Sequence, residues 1–129
     1  MTSDPLAQVR RCCLALPLVS ERLSHGTPSF FIKEKRAFVT YWDNHHDDGR
    51  LALWCAAPEG AQMALIDEDP ELFFRPPYVG SRGWVGVRLD READWEEIAL
   101  LIDQAYHVVA TQTRATQTRA TRATANPNR

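Results

Sequence analysis

Apolar positions along the chain follow two periods, and the alternation between them predicts most of its elements. Pro5 after Ser3 or Asp4 marks a helix start, and Leu6, Val9, Cys13 and Leu16 then recur on one stripe until Pro17 ends it. Gly26 and Pro28, in Leu23–Phe30, mark a tight loop that delivers Phe30, Phe31 and Ile32 into a strand. Lys33, Glu34, Lys35 and Arg36 form the polar tip of a hairpin, with Ala37–Trp42 returning as a β-branched and aromatic strand. A polar loop, 43–50, leads to a third strand, Leu51–Cys55, so three antiparallel strands in sequence form a meander.

Helical spacing returns at Ala61–Glu68, where Met63, Leu65 and Ile66 recur and Asp69-Pro70 closes the segment. The stretch from Phe73 to Leu89 then gathers aromatic residues, prolines and glycines. Pro76 and Pro77 hold a rigid extended backbone, Gly80 and Gly83 let it turn, and Trp84–Leu89 reads as a strand with a buried face around Trp84. Asp94 and Glu97 have capping-box spacing ahead of a helix whose apolar face is Ile98, Leu101, Ile102, Ala105 and Val108 or Val109. Beyond Ala110 a short-period repeat of threonine, arginine, alanine and glutamine has no large apolar residue. It is set apart as a basic flexible tail, 111–129, disordered or continuing the last helix for a few turns.

Composition adds bounds to this pattern. A chain of 129 residues with 44% apolar residues has the size of one domain, here residues 1–110, and buries roughly two-thirds of the surface of its unfolded chain. Cys12, Cys13 and Cys55 form neither a disulfide framework nor a zinc pattern, and adjacent cysteines on a helix point about 100° apart. With no signal-like or membrane-length apolar run, the expectation is a cytoplasmic protein without a membrane partner. The net charge of −2 conceals an asymmetry: Arg114, Arg119, Arg122 and Arg129 lie in the tail, leaving eleven basic against seventeen acidic residues, or −6, in the body. An acidic body opposes non-specific duplex binding over its whole surface, because phosphate contacts need clustered lysine and arginine.

Five segments together resemble the MmcQ/YjbR family of small bacterial proteins: Leu23–Phe30, Asp43–His46, Pro76–Gly80, Arg82–Asp90 and Asp94-Trp95. The resemblance covers nearly all of residues 5–110. It implies a frataxin-like, double-wing α+β fold, with an antiparallel sheet, the meander plus a further strand, carrying helices on one face. Two positions depart from the family pattern. Lys35-Arg36 stands where many members have glycine-lysine, and Ala105 precedes Tyr106 where many have serine.

The chemistry legible in these residues is binding chemistry. The loop Asp43–Asp48 holds His45 and His46, and His25 adds a third imidazole, but adjacent histidines in a turn lack both the calcium-loop and the zincin spacing. Neither a metal nor a cofactor is expected. The first helix has only Asp4 and Glu21 near its ends, so it lacks the acidic ridge that iron binding would need. Cys55 closes an apolar strand, and the chain has no glycine-framed nucleophile, which argues against an enzyme. Two readings remain. Lys33, Lys35 and Arg36 on a hairpin wing, with Arg82 and Arg88 near the central stretch and arginines in the tail, suit DNA phosphates. Alternatively, His25, Tyr78 and Trp84, with Trp54, form an aromatic corner for a small ligand or a protein partner. The first is the leading expectation.

Overall fold

The computed structural model describes residues 4–125, with side chains from Asp4 to Gln112. Six strands, β1 (Val19–Ser24), β2 (Thr27–Ile32), β3 (Arg36–Asp43), β4 (Leu51–Cys55), β5 (Phe73–Phe74) and β6 (Val85–Arg88), form one sheet in the order β1-β2-β3-β4-β6-β5. Every neighbouring pair is antiparallel. Three helices accompany it, α1 (Pro5–Leu14), α2 (Ala61–Glu68) and α3 (Trp95–Ala125). This is the α+β arrangement anticipated from the sequence. No helix among the described residues is long and apolar enough to cross a membrane.

The meander has four strands, not three, because Val19–Ser24 is a strand and the turn after it is confined to His25 and Gly26. The local pattern hid β1, an edge strand with Leu23 71% exposed and no fully buried residue, so it lacks the clean alternation that marks a half-buried strand. At its far end β2 turns into β3 through Lys33 and Glu34, both with positive φ, as a tight hairpin requires. Asp4 stands at the N-cap of α1 but gives it no side-chain cap; its backbone carbonyl accepts from the Gln8 N–H, and Ser3 lies outside the described residues. Asp94 does cap α3, its Oδ1 accepting from the amides of Glu96 and Glu97.

Alternation sorts the sheet into two faces. Val39, Cys55 and Val85 lie opposite one another across β3, β4 and β6, as do Tyr41, Leu53 and Val87, and all six are buried. The register between β2 and β3 shifts at Phe38, which is fully buried and meets Tyr106 of α3 edge-on at 5.7 Å. This first face packs against α1 and α3 through Val9, Cys13, Ile98, Ile102 and Ala105. The Tyr106 hydroxyl donates to the Pro17 carbonyl at 2.8 Å, tying α3 to the chain leaving α1. Ala105 is fully buried here, so a serine in its place would put its hydroxyl in the core. The segment 111–129 continues α3 as far as Ala125, and its arginine side chains lie outside the described residues.

Candidate functional site

The second face of the sheet carries Thr40 and Trp42 of β3, Trp54 of β4, Gly86 of β6 and Phe74 of β5. Thr40 pairs with Trp54, and Trp42 lies one step diagonal to it, so the two indoles stack with centroids 4.4 Å apart and planes 28° from parallel. The Trp42 Nε1–H donates to Thr40 Oγ1 at 2.8 Å, which fixes the half-exposed ring over its own strand. Gly86 leaves room for the Phe74 ring, whose Cε1, Cε2 and Cζ atoms crowd the position a Cβ would take, and the Arg50 guanidinium lies 4.1 Å from the ring centroid. At the other side of the face Arg22 covers Phe31 at 3.6 Å.

His45 is the hub of the cluster. A 3₁₀ turn at His45–Asp47, entered through left-handed Asn44, folds the β3–β4 connection back over the sheet. The amide of Gly49 donates to Asn44 Oδ1 and that of Arg50 to Asp48 Oδ1, so these two oxygens serve the loop itself. The His45 ring meets Trp42 at 4.7 Å, Trp54 at 5.0 Å, Tyr78 at 6.3 Å and His46 at 4.1 Å, edge-on in each case. Burial against the indoles, and then the adjacent His46, push its pKa below the usual imidazole value, with Asp48 opposing, so the ring is neutral near pH 7. Among the described residues no three histidine, cysteine, aspartate or glutamate side chains are grouped to hold one ion.

Tyr78 overhangs the cluster from the Pro76–Arg82 turn. Its φ of 65° and ψ of −66° give the strained form of the γ-turn, closed by the Val79 N–H donating to the Pro77 carbonyl at 2.7 Å. Gln62 of α2 anchors the turn by donating to the carbonyls of Gly80 and Trp84. The strained residue is also one of the most exposed aromatic side chains, 77% accessible. His25 and His46, likewise at positive φ, stand at the rim of the same cavity. Three non-glycine residues with positive φ, His25, His46 and Tyr78, thus meet at one feature of the surface.

That feature is an open cleft of about 1140 Å³ running the length of β3. His25, Trp54, Tyr78 and Trp84, the four residues of the aromatic corner, all line it, although Trp84 is buried at 5% exposure and forms floor beneath Arg82, whose guanidinium lies 5.7 Å from its ring. Of the five cations assigned to nucleic acid, Lys35, Arg36 and Arg82 line the cleft and have no carboxylate partner among the described residues. Lys33 is exposed at the hairpin tip outside the lining. Arg88 is held by Asp90 through two bonds of 2.9 Å, which raises its own pKa and lowers that of Asp90. Trp42 and His45 are the cleft residues that sequence reading missed; the available signal was the alternation Thr40-Tyr41-Trp42, which puts Trp42 on the face opposite Tyr41.

A family model described as YjbR matches residues 14–108. The chain belongs to the YjbR family. The crystal structure of Deinococcus radiodurans protein DR2400, which carries the family domain DUF419, is similar at a TM-score of 0.68 and 19% identity, over 81% of this chain and 77% of that one. No curated protein matches the chain. At that identity the DR2400 likeness extends to the fold alone.

Proposed function

We propose that this YjbR-family domain is a non-catalytic binding module whose site is the aromatic cleft along β3, where it receives a ligand bearing a planar ring. The observation that carries this reading is the convergence of Trp42, Trp54, Tyr78 and His45 on one cavity, with Tyr78 held there in a strained γ-turn. The cysteines support a binding role. Cys13 and Cys55 sit in the core with their thiol pKa values pushed up by burial, Cys55 to about 12, so neither offers a thiolate to the cleft at neutral pH.

Ligand-observed NMR with a panel of neutral and acidic aromatic compounds tests the reading. Hits should be lost in Trp42→Ala and Tyr78→Ala and kept in Leu100→Ala, a control on the exposed face of α3. Hits that survive both cleft substitutions would place binding elsewhere and refute the assignment.

The wing reading retains one specific observation, Lys35 and Arg36 at the start of β3, which have no carboxylate partner among the described residues. If the hairpin contacts duplex phosphates, neutralising both lowers the salt slope of binding by roughly two units, about one per contact. An unchanged slope in fluorescence anisotropy would remove the wing from consideration.

A further inference from the structure

We infer that the occupant of the cleft is an extended segment of single-stranded nucleic acid, its bases stacked on the rings around Tyr78 and its phosphates met by Lys35, Arg36 and Arg82. The inference rests on the reading of the cleft as a ligand site and names what fills it. Three features of the same surface support it.

First, the cleft is long. Arg36 opens β3 and Trp42 lies near its end, six residues apart, which is about 20 Å at the rise of a strand. A single ring carrying a single phosphate does not reach both ends, whereas a chain in which rings and phosphates recur does. Second, the cleft is basic on an acidic body. Lys35, Arg36 and Arg82 line it against Asp43 alone among the acids, while residues 1–110 carry −6 overall. An anion is therefore drawn to this face and repelled by the rest. Third, the rings present what stacking requires. Tyr78 is 77% exposed, and the half-exposed Trp42 is held by its stack on Trp54 and its bond to Thr40, so little rotamer freedom is lost when a base is added. Duplex DNA keeps its bases stacked on one another and offers no ring face to Tyr78, so the geometry favours the single strand.

Fluorescence anisotropy of the full chain with a labelled short oligothymidylate, and with a duplex of the same length, at two salt concentrations, decides the matter. The single strand should bind at least about ten-fold more tightly than the duplex. Tyr78→Ala should weaken it by about five- to a hundred-fold, the loss of one base stack, while Tyr78→Phe, which keeps the ring, should leave it within about two-fold. Replacing Lys35, Arg36 and Arg82 by alanine should reduce the salt slope by about two units, at roughly 0.7 per single-strand phosphate contact. Equal or tighter duplex binding would overturn the inference in favour of the hairpin wing. No oligonucleotide binding at low salt, with aromatic compounds still bound in the cleft, would overturn it and leave the cleft reading standing. Loss of both would refute the two together.

Discussion

Gly86→Ala tests the aromatic face at its most crowded point. A Cβ built on Gly86 would lie 2.4 Å from Cε2 and Cζ of Phe74 and 2.7 Å from Cε1, well inside contact distance. The ring cannot retreat cheaply. Phe74 belongs to the two-residue strand β5, pairs directly with Gly86, and carries the Arg50 guanidinium over its ring. Moving it exposes part of the ring and disrupts that contact, which puts the cost at about 1–3 kcal/mol, typical of over-packing, and the fall in melting temperature on the order of 4–12 °C. Gly80→Ala is the comparison: its Cβ would meet Arg75 Cγ at 2.6 Å, but Arg75 is exposed and can change rotamer, so the cost should be smaller than that of Gly86→Ala. Urea melts of both variants, and of Gly86→Ala combined with Phe74→Ala, measure the terms. In the Phe74→Ala background the Gly86→Ala cost should fall below about 0.5 kcal/mol. If Gly86→Ala melts like the parent, or costs as much without Phe74 as with it, the close approach of ring and strand is not what requires glycine there.

Three further outcomes follow from burial and charge. Trp84→Ala should cost about 3–5 kcal/mol in a denaturant melt, since the ring is 5% exposed beneath Arg82, and a loss below about 1 kcal/mol would mean that the indole is dispensable floor. Titration with a thiol reagent at neutral pH should modify Cys12 slowly and leave Cys13 and Cys55 untouched until denaturant is added, because burial raises all three thiol pKa values and only Cys12 is part-exposed; fast reaction of two thiols would contradict the packing. His45 is held below its ordinary value of 6.5, so the unfolded chain takes up a proton there before the folded one does. Its contribution is therefore intact above about pH 6.5 and is lost as pH falls from there through the lowered folded value. His45→Gln should flatten the stability profile over that acid range, and an unchanged slope would show that the imidazole is not desolvated by the indoles.

Local pattern alone determined a good part of this protein. The bounds of α2, Ala61–Glu68, are those that the apolar spacing predicts, and β3, β4 and the start of α3 follow from β-branched runs and from Asp94, because period and capping are properties of neighbouring residues. The burial of Trp84 was legible for the same reason, from its place in an apolar run behind a proline-glycine turn. Edge strand β1 was not, since nothing in Val19–Ser24 marks it as a strand until β2 supplies its partner. The cleft lay further still beyond local pattern. His25, Tyr78 and Trp54 could be named as a corner, but that Trp42 stacks on Trp54 depends on the register between β3 and β4, and that His45 stands among the rings depends on a loop folding back over the sheet. The division of the basic residues was tertiary only in part: Asp90, two residues along the chain, holds Arg88, whereas the fold is what brings Arg82 to the cleft. Pairing across a sheet joins residues far apart in sequence, so it, and not composition, decides which side chains share a face.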